Sequence, residues 1–181
     1  MVKILYTTAD GYAYSAADGS FLELNHPMNL ITDRTQADVD RAEYLASLGL
    51  AAMTEAERTE YLTDLKGAYN ATDLNRVGAA MNYVAARLVE HGFVVSIDPK
   101  TDWTSMDWPT PSTMERYLAD LAELRGKFAL MESTPAVPED MERLTYEEAN
   151  DIEKILEDID RLLTYTAQAW FYSGDLFSGE V

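Results

Sequence analysis

Thr145-Tyr146-Glu147-Glu148-Ala149-Asn150-Asp151-Ile152-Glu153-Lys154-Ile155-Leu156-Glu157-Asp158-Ile159-Asp160-Arg161-Leu162-Leu163 is the stretch whose reading decides the fold. Ile152, Ile155, Leu156, Ile159, Leu162 and Leu163 recur in steps of three and four, the period of one face of an α-helix. Thr145 stands three residues before Glu148, the spacing at which a hydroxyl and a carboxylate cap a helix N-terminus reciprocally. A helix over about 146–170 follows, ending near Trp170. The preceding stretch repeats the pattern: Met114, Tyr117, Leu118, Leu121, Leu124 and Phe128 place a helix over about 112–130. Pro135 and Pro138 break the chain between them, so the simplest arrangement is a long antiparallel helical hairpin over 112–172.

Working towards the N-terminus, the helix signals persist. Thr35 with Asp38, Thr54 with Glu57 and Ser112 with Glu115 share the capping spacing, and Thr72 precedes Asp73 as a further N-cap candidate. They place helices over about 36–48, 55–66 and 73–91, the first two stopped by Gly49 and Gly67 and the third by His91-Gly92. Gly78, Ala79, Ala80 and Ala85 thin one side of the third helix, where a neighbour can approach closely. Phe93-Val94-Val95-Ser96-Ile97 has the composition of a short strand. Ahead of residue 30, Asp10-Gly11 and Asp18-Gly19 fall between short apolar runs and favour tight hairpin turns. The expected fold class is therefore α+β, mainly α: a small N-terminal antiparallel β meander, then about five helices. The expected divisions are a β-hairpin or meander module at 1–30, a three-helix segment at 31–98, a Trp- and Pro-rich connector at 99–111, the helical hairpin at 112–172 and a tail at 173–181.

Composition narrows function. The 181 residues carry 32 acids against 14 bases, a formal charge of −18, with no cysteine. Disulfides and thiolate metal sites are excluded, and so negative a surface repels nucleic-acid phosphates and anionic lipids. The acids crowd between Glu139 and Asp160, where only Arg143 and Lys154 oppose them, and read as a solvated face. No apolar run is long enough for a transmembrane helix, and the N-terminus turns polar too soon for a signal peptide. His26 and His91 belong to no metal-ligand motif, and neither a nucleophile elbow nor a phosphate-binding loop is present. No catalytic, cofactor-binding or metal-ligating residue is expected, and no cofactor. Glu147, Glu148 and Asp151 fall in a first helical turn, where acids complement the macrodipole. The candidate interaction residues are aromatic. Trp103 and Trp108 lie in the connector among acids, where flat rings either stack on a sugar or plug the loop against the helices. Trp170, Phe171 and Tyr172 close the last helix as a candidate interface patch.

Several stretches together resemble a known group. They are Ile31-Thr32-Asp33-Arg34-Thr35 with Asp38, Val39 and Arg41; Ala52-Met53-Thr54-Glu55-Ala56-Glu57; Lys66-Gly67-Ala68-Tyr69-Asn70-Ala71-Thr72-Asp73-Leu74-Asn75-Arg76-Val77; Lys100-Thr101-Asp102-Trp103 with Asp107, Pro109 and Thr110; and Leu144-Thr145-Tyr146-Glu147-Glu148-Ala149-Asn150-Asp151-Ile152-Glu153. This pattern resembles small uncharacterised proteins encoded in prophages of gut Gram-positive bacteria, beside tail and baseplate genes. In that group it often follows unrelated N-terminal modules, and no catalytic residue carries over. The resemblance implies a non-enzymatic structural or interaction protein of a phage tail or baseplate, made in the bacterial cytoplasm and then virion-associated. Its partners would be protein, either a second copy or another tail component. The alternatives from other classes are a carbohydrate- or receptor-binding module using Trp103 and Trp108, and an acidic protein that mimics DNA. Direct nucleic-acid binding and membrane binding are not expected.

Overall fold

A computed structural model describes the backbone of residues 28–63 and 65–175, the short pairs at 6–7, 13–14 and 21–22, and the side chains of 28–63 and 65–167. Five helices build it: α1 (Gln36–Leu48), α2 (Glu55–Thr63), α3 (Ala71–Glu90), α4 (Pro111–Gly126) and α5 (Tyr146–Asp175). The capping chemistry explains most of the starts. Thr35, Thr54 and Thr145 each donate from backbone N–H and hydroxyl to the carboxylate three residues on, at 2.8–3.0 Å. Two starts lie earlier than expected. Asn70, not Thr72, caps α3, its side chain accepting from the Thr72 and Asp73 amides. Thr110, not Ser112, caps α4, with Pro111 at the first helical position, where its missing N–H has no intrahelical partner to lose.

The α+β expectation is corrected: the fold is mainly α. Among the described residues no strand enters the core. The antiparallel pairings Tyr6–Thr7, Ala13–Tyr14 and Phe21–Leu22 are two residues long each, well short of an ordinary strand, and supply no sheet layer. The remainder of the proposed 1–30 meander, through residue 27, lies outside the described residues.

The antiparallel hairpin of the last two helices is also corrected. The core is a bundle of α3, α4 and α5, and all three run the same way. Asp73 near the start of α3 shares partners with Glu153 of α5, while Arg87 near the end of α3 bonds Asp160 and Thr164 further along α5. Tyr69, just before α3, meets Tyr117 early in α4, and Phe93, just past α3, meets Phe128 just past α4. Parallel neighbours require return connections, and the two long non-helical segments supply them. The first carries Phe93, Ser96, Asp98 and Lys100 back past Phe128, Glu123, Arg116 and Gly78 in turn. It is extended, and burial alternates from Phe93 to Asp98 as the strand-like composition suggested, but it pairs with no strand. The thin face of α3 is where it crosses: a Cβ on Gly78 would stand 2.8 Å from the Lys100 carbonyl oxygen. The second return, 127–145, is tied by Arg125 to the carbonyls of Thr134 and Pro135, and by Thr134 to Asp158.

The core forms where the apolar stripes meet. Val77, Met81, Val84 and Leu88 of α3, Leu121 and Leu124 of α4, and Ile152, Ile155, Leu156, Ile159 and Leu163 of α5 are fully enclosed. At about 1.5–3 kcal/mol per buried aliphatic side chain, this stripe is the main stabilising term. α1 and α2 form a separate pair, joined by the two-point contact of Arg41 with Glu60. α2 buries none of its residues. The pair is held to the bundle through the Arg34 and Lys66–Gly67 region, where a Cβ on Gly67 would fall 1.9 Å from the Asp38 carbonyl oxygen.

Candidate functional site

Three of the acids on α5 are not on a solvated face. Glu153, Asp158 and Asp160 are buried, and each is met by a base. Glu153 belongs to a closed square of charge. Arg34 Nη2 donates to Asp73 Oδ1 and Glu153 Oε1 at 2.9 and 2.7 Å, and Arg76 Nη2 donates to the same two oxygens at 2.6 and 2.8 Å. The other carboxylate oxygens are also used: Glu153 Oε2 accepts from the Ile31 amide and Asp73 Oδ2 from the Asn70 amide. Arg34 Nε and Nη1 donate to the carbonyls of Lys66 and Ile31. Asn150 grips the Arg34 backbone from both sides, accepting from its N–H and donating to its carbonyl.

The electrostatics follow from the geometry. Burial opposes the charge on Arg76, but the hydrogen bonds and charges of Glu153 and Asp73 outweigh it, and its pKa is raised. Above the square, the Tyr69 and Tyr117 hydroxyls are 2.7 Å apart, and burial drives both phenols well above their ordinary titration range. Two positive and two negative charges cancel. Of the node's buried side-chain polar atoms, Arg76 Nε is left without a protein partner and the others are paired. A group that must exchange protons or take up a nucleophile needs a free position, so this node holds the fold together. It joins the segment before α1 to α3 and α5. Among the described residues no group of three or more His, Asp or Glu is arranged to hold a metal ion, and no helix is long and apolar enough to cross a membrane.

The expected interaction residues separate. Trp103 is only 7 % exposed, with its backbone N–H and carbonyl both bonded to Asn75 and the Lys100 ammonium 5.1 Å above its ring. Trp108, five residues on, is 87 % exposed, as is Met106 at 84 %. The two tryptophans therefore do not make one stacking platform. Trp170, Phe171 and Tyr172 lie on α5, and their side chains fall outside the described residues.

Clefts indent the surface between the described residues. One, about 750 Å3, has an apolar floor of Leu74, Met114, Leu118 and Leu144 and an acidic rim of Glu115, Glu139, Asp140 and Glu142, with Arg143 beside them. Pro109 forms its edge, directly after Trp108 in the chain. A second, about 320 Å3, opens beside Arg34 and Tyr69, and a third, about 310 Å3, lies between the first return segment and α4. No sequence pattern points to the first, because its floor comes from three elements far apart in the chain.

No protein-family model, curated protein or solved structure matches the chain. Three of the five stretches set out above, 31–35, 66–77 and 144–153, nevertheless come together in space. Arg34, Lys66, Tyr69, Asn70, Asp73, Arg76, Asn150 and Glu153 all fall within them, and together they make up the charged node and its immediate supports. The fold needs those residue types for their pairing.

Proposed function

We propose that the chain is a non-enzymatic interaction protein, a tail- or baseplate-associated component of a prophage, that docks a protein partner at the 750 Å3 groove. The observation that carries the docking reading is the apolar floor of that groove set within an acidic rim, with Pro109 on its lining and the exposed Met106 and Trp108 just before it in the chain. Large side chains exposed next to a groove are what an interface leaves uncovered in the free protein. The rim charge, on a chain of net −18, selects the partner's chemistry: a segment with aliphatic or aromatic anchors flanked by lysine or arginine. The tail assignment rests on the sequence resemblance and is tested separately.

The docking test uses an amphipathic helical peptide of alternating leucine and lysine clusters as probe, measured by fluorescence anisotropy at low and high salt. Binding should weaken with salt; Met114→Glu, on the groove floor, should cost about tenfold or more in affinity, as loss of an anchor at an interface centre does, and Trp108→Ala, beside the edge, should cost less but measurably. Equal binding by wild type and both variants would mean that the peptide is responding to net charge alone, and the groove would be rejected. For the tail assignment, particles purified after prophage induction are analysed by mass spectrometry. The chain should be present at a fixed ratio to known tail proteins, and its absence from intact particles overturns that part.

A further inference from the structure

The 750 Å3 groove and the 320 Å3 cleft beside Arg34 are two parts of one trough. Tyr69 and Leu144 line both, and so stand at the waist between them. Each wall passes from one part to the other through these residues. On one side, 139–144 line the groove and 144–147 line the smaller cleft, nine consecutive residues of a single segment. On the other, Leu74 and Tyr69 line the groove, and Tyr69 and Gly67 line the smaller cleft. The smaller cleft adds Val39 of α1 and Ala149 of α5 to this lining. The waist is fixed at one side, because the Tyr69 hydroxyl is held 2.7 Å from that of Tyr117 and its ring is a static apolar surface.

The charge of the groove continues past the waist. Glu139, Asp140, Glu142 and Glu147 lie exposed along the nine-residue wall, with Arg143 its single base. The base that lines the smaller cleft, Arg34, does not offset Glu147: its guanidinium is 2 % exposed and committed to Asp73 and Glu153. The smaller cleft therefore repeats on a reduced scale what the groove offers, an apolar lining beside an unburied acid, with room for one large side chain. Two apolar stations in one trough, flanked by charge of one sign, suit a linear segment that places anchors in succession, as peptides do in grooves. We infer that the partner is a linear, basic segment of another protein that continues across the Tyr69–Leu144 waist. It sets a further aliphatic or aromatic side chain in the smaller cleft, beside Val39 and Ala149, with a lysine or arginine facing Glu147. This inference rests on the docking reading of the groove and extends it by a second anchor.

The test compares peptide probes of different length on the full-length protein by fluorescence anisotropy. The short probe carries one leucine–lysine cluster, and two long probes add a second cluster at one end or the other. At least one long probe should bind about tenfold or more tighter than the short one, the gain expected from burying one further aliphatic side chain. Val39→Glu and Glu147→Lys should each erase that ratio, bringing the long probe to the affinity of the short one on the same variant. Should Val39→Glu misfold by circular dichroism, Glu147→Lys, at an exposed position, decides alone. A short probe that binds and is weakened by Met114→Glu, with no tighter binding of either long probe, overturns the second anchor and leaves the groove reading standing. A length-dependent gain that survives both cleft variants also overturns it, since the extra cluster is then held elsewhere. Failure of every probe to bind the wild-type protein rejects the groove and the second anchor together.

Discussion

Removing Arg34 should be among the most damaging single changes available to this protein, and the size of the effect can be worked out from the charge square. The guanidinium is 2 % exposed and touches two carboxylates at 2.7 and 2.9 Å. With an effective dielectric near 20 and charge centres about 4 Å apart, each attraction is worth about 4 kcal/mol. Across the diagonal, at about 6 Å, its repulsion from Arg76 returns about 3 kcal/mol. The net is about 5 kcal/mol before Arg34 regains hydration in the unfolded chain. Measured losses on breaking buried pairs, about 3–5 kcal/mol, include that recovery. Arg34→Met should therefore cost about 3–5 kcal/mol. Arg76→Met should cost less, because Arg76 is 17 % exposed and water can enter the space it leaves.

Urea unfolding followed by circular dichroism reads this directly. With a slope of about 2 kcal/mol per molar, a 4 kcal/mol loss moves the midpoint down by about 2 M. Should Arg34→Met not fold, the double variant Arg34→Met/Glu153→Met keeps the reasoning testable. It removes one charge of each sign and leaves the Arg76–Asp73 pair intact, so it should be more stable than the two single losses added together, by more than about 1 kcal/mol. An Arg34→Met loss under about 1 kcal/mol, or strict additivity in the double variant, would refute the view that the square acts as one buried unit.

Other consequences can be measured independently. Gly67→Ala puts a methyl 1.9 Å from the Asp38 carbonyl oxygen, so it should lower stability by about 1–3 kcal/mol by prising α1 from the bundle; an unchanged melting temperature would contradict the packing. Tyr69 and Tyr117 are held neutral by burial, so the folded state binds protons that the unfolded chain releases. Stability from this pair is complete below the ordinary phenol pKa of 10.0 and falls as pH rises beyond it, and Tyr117→Phe should flatten that alkaline fall in a pH series of melting temperatures. Burial also raises the Asp120 pKa, so the ionised side chain is a burden to the fold at neutral pH. Asp120→Asn should raise the melting temperature at pH 7, and the gain should vanish below the ordinary aspartate value of 3.8, where the unfolded chain is protonated too.

The helices were legible because their start signals are local. A threonine and an acid three residues apart report on a single turn, and α1 begins and ends where the sequence placed it. The starts of α3 and α4 lie two residues and one before the expected positions, because Thr72 and Ser112 compete with Asn70 and Thr110 within the same turn and only backbone geometry decides between them. Helix direction was not legible at all. An apolar seam is satisfied by a parallel or an antiparallel neighbour, and short loops would have favoured the latter. The returns over 91–110 and 127–145 are long enough to permit the former. Their prolines read as breaks, yet the alternation from Phe93 to Asp98 is the trace of a segment lying along two helices.

The charged node was hidden for a different reason. Counted by composition, Glu153 and Asp160 add to an acidic run; placed on the helix, they stand seven residues apart and flank the Ile152–Ile155–Ile159 stripe. An acid repeated at heptad spacing beside a buried seam has to meet a base or pay for its burial, and the chain has only 14 bases to distribute. Arg34, Arg76 and Arg87 all go inward to meet these acids, although arginine is ordinarily a surface residue. That use of the scarce bases leaves the outer acids less opposed, which is why the rim around the 750 Å3 groove is so one-sided in charge. The interior pairing and the negative exterior are thus one arrangement. It leads to a direct expectation about partners: whatever covers the groove has to bring the positive charge that the fold has drawn inside.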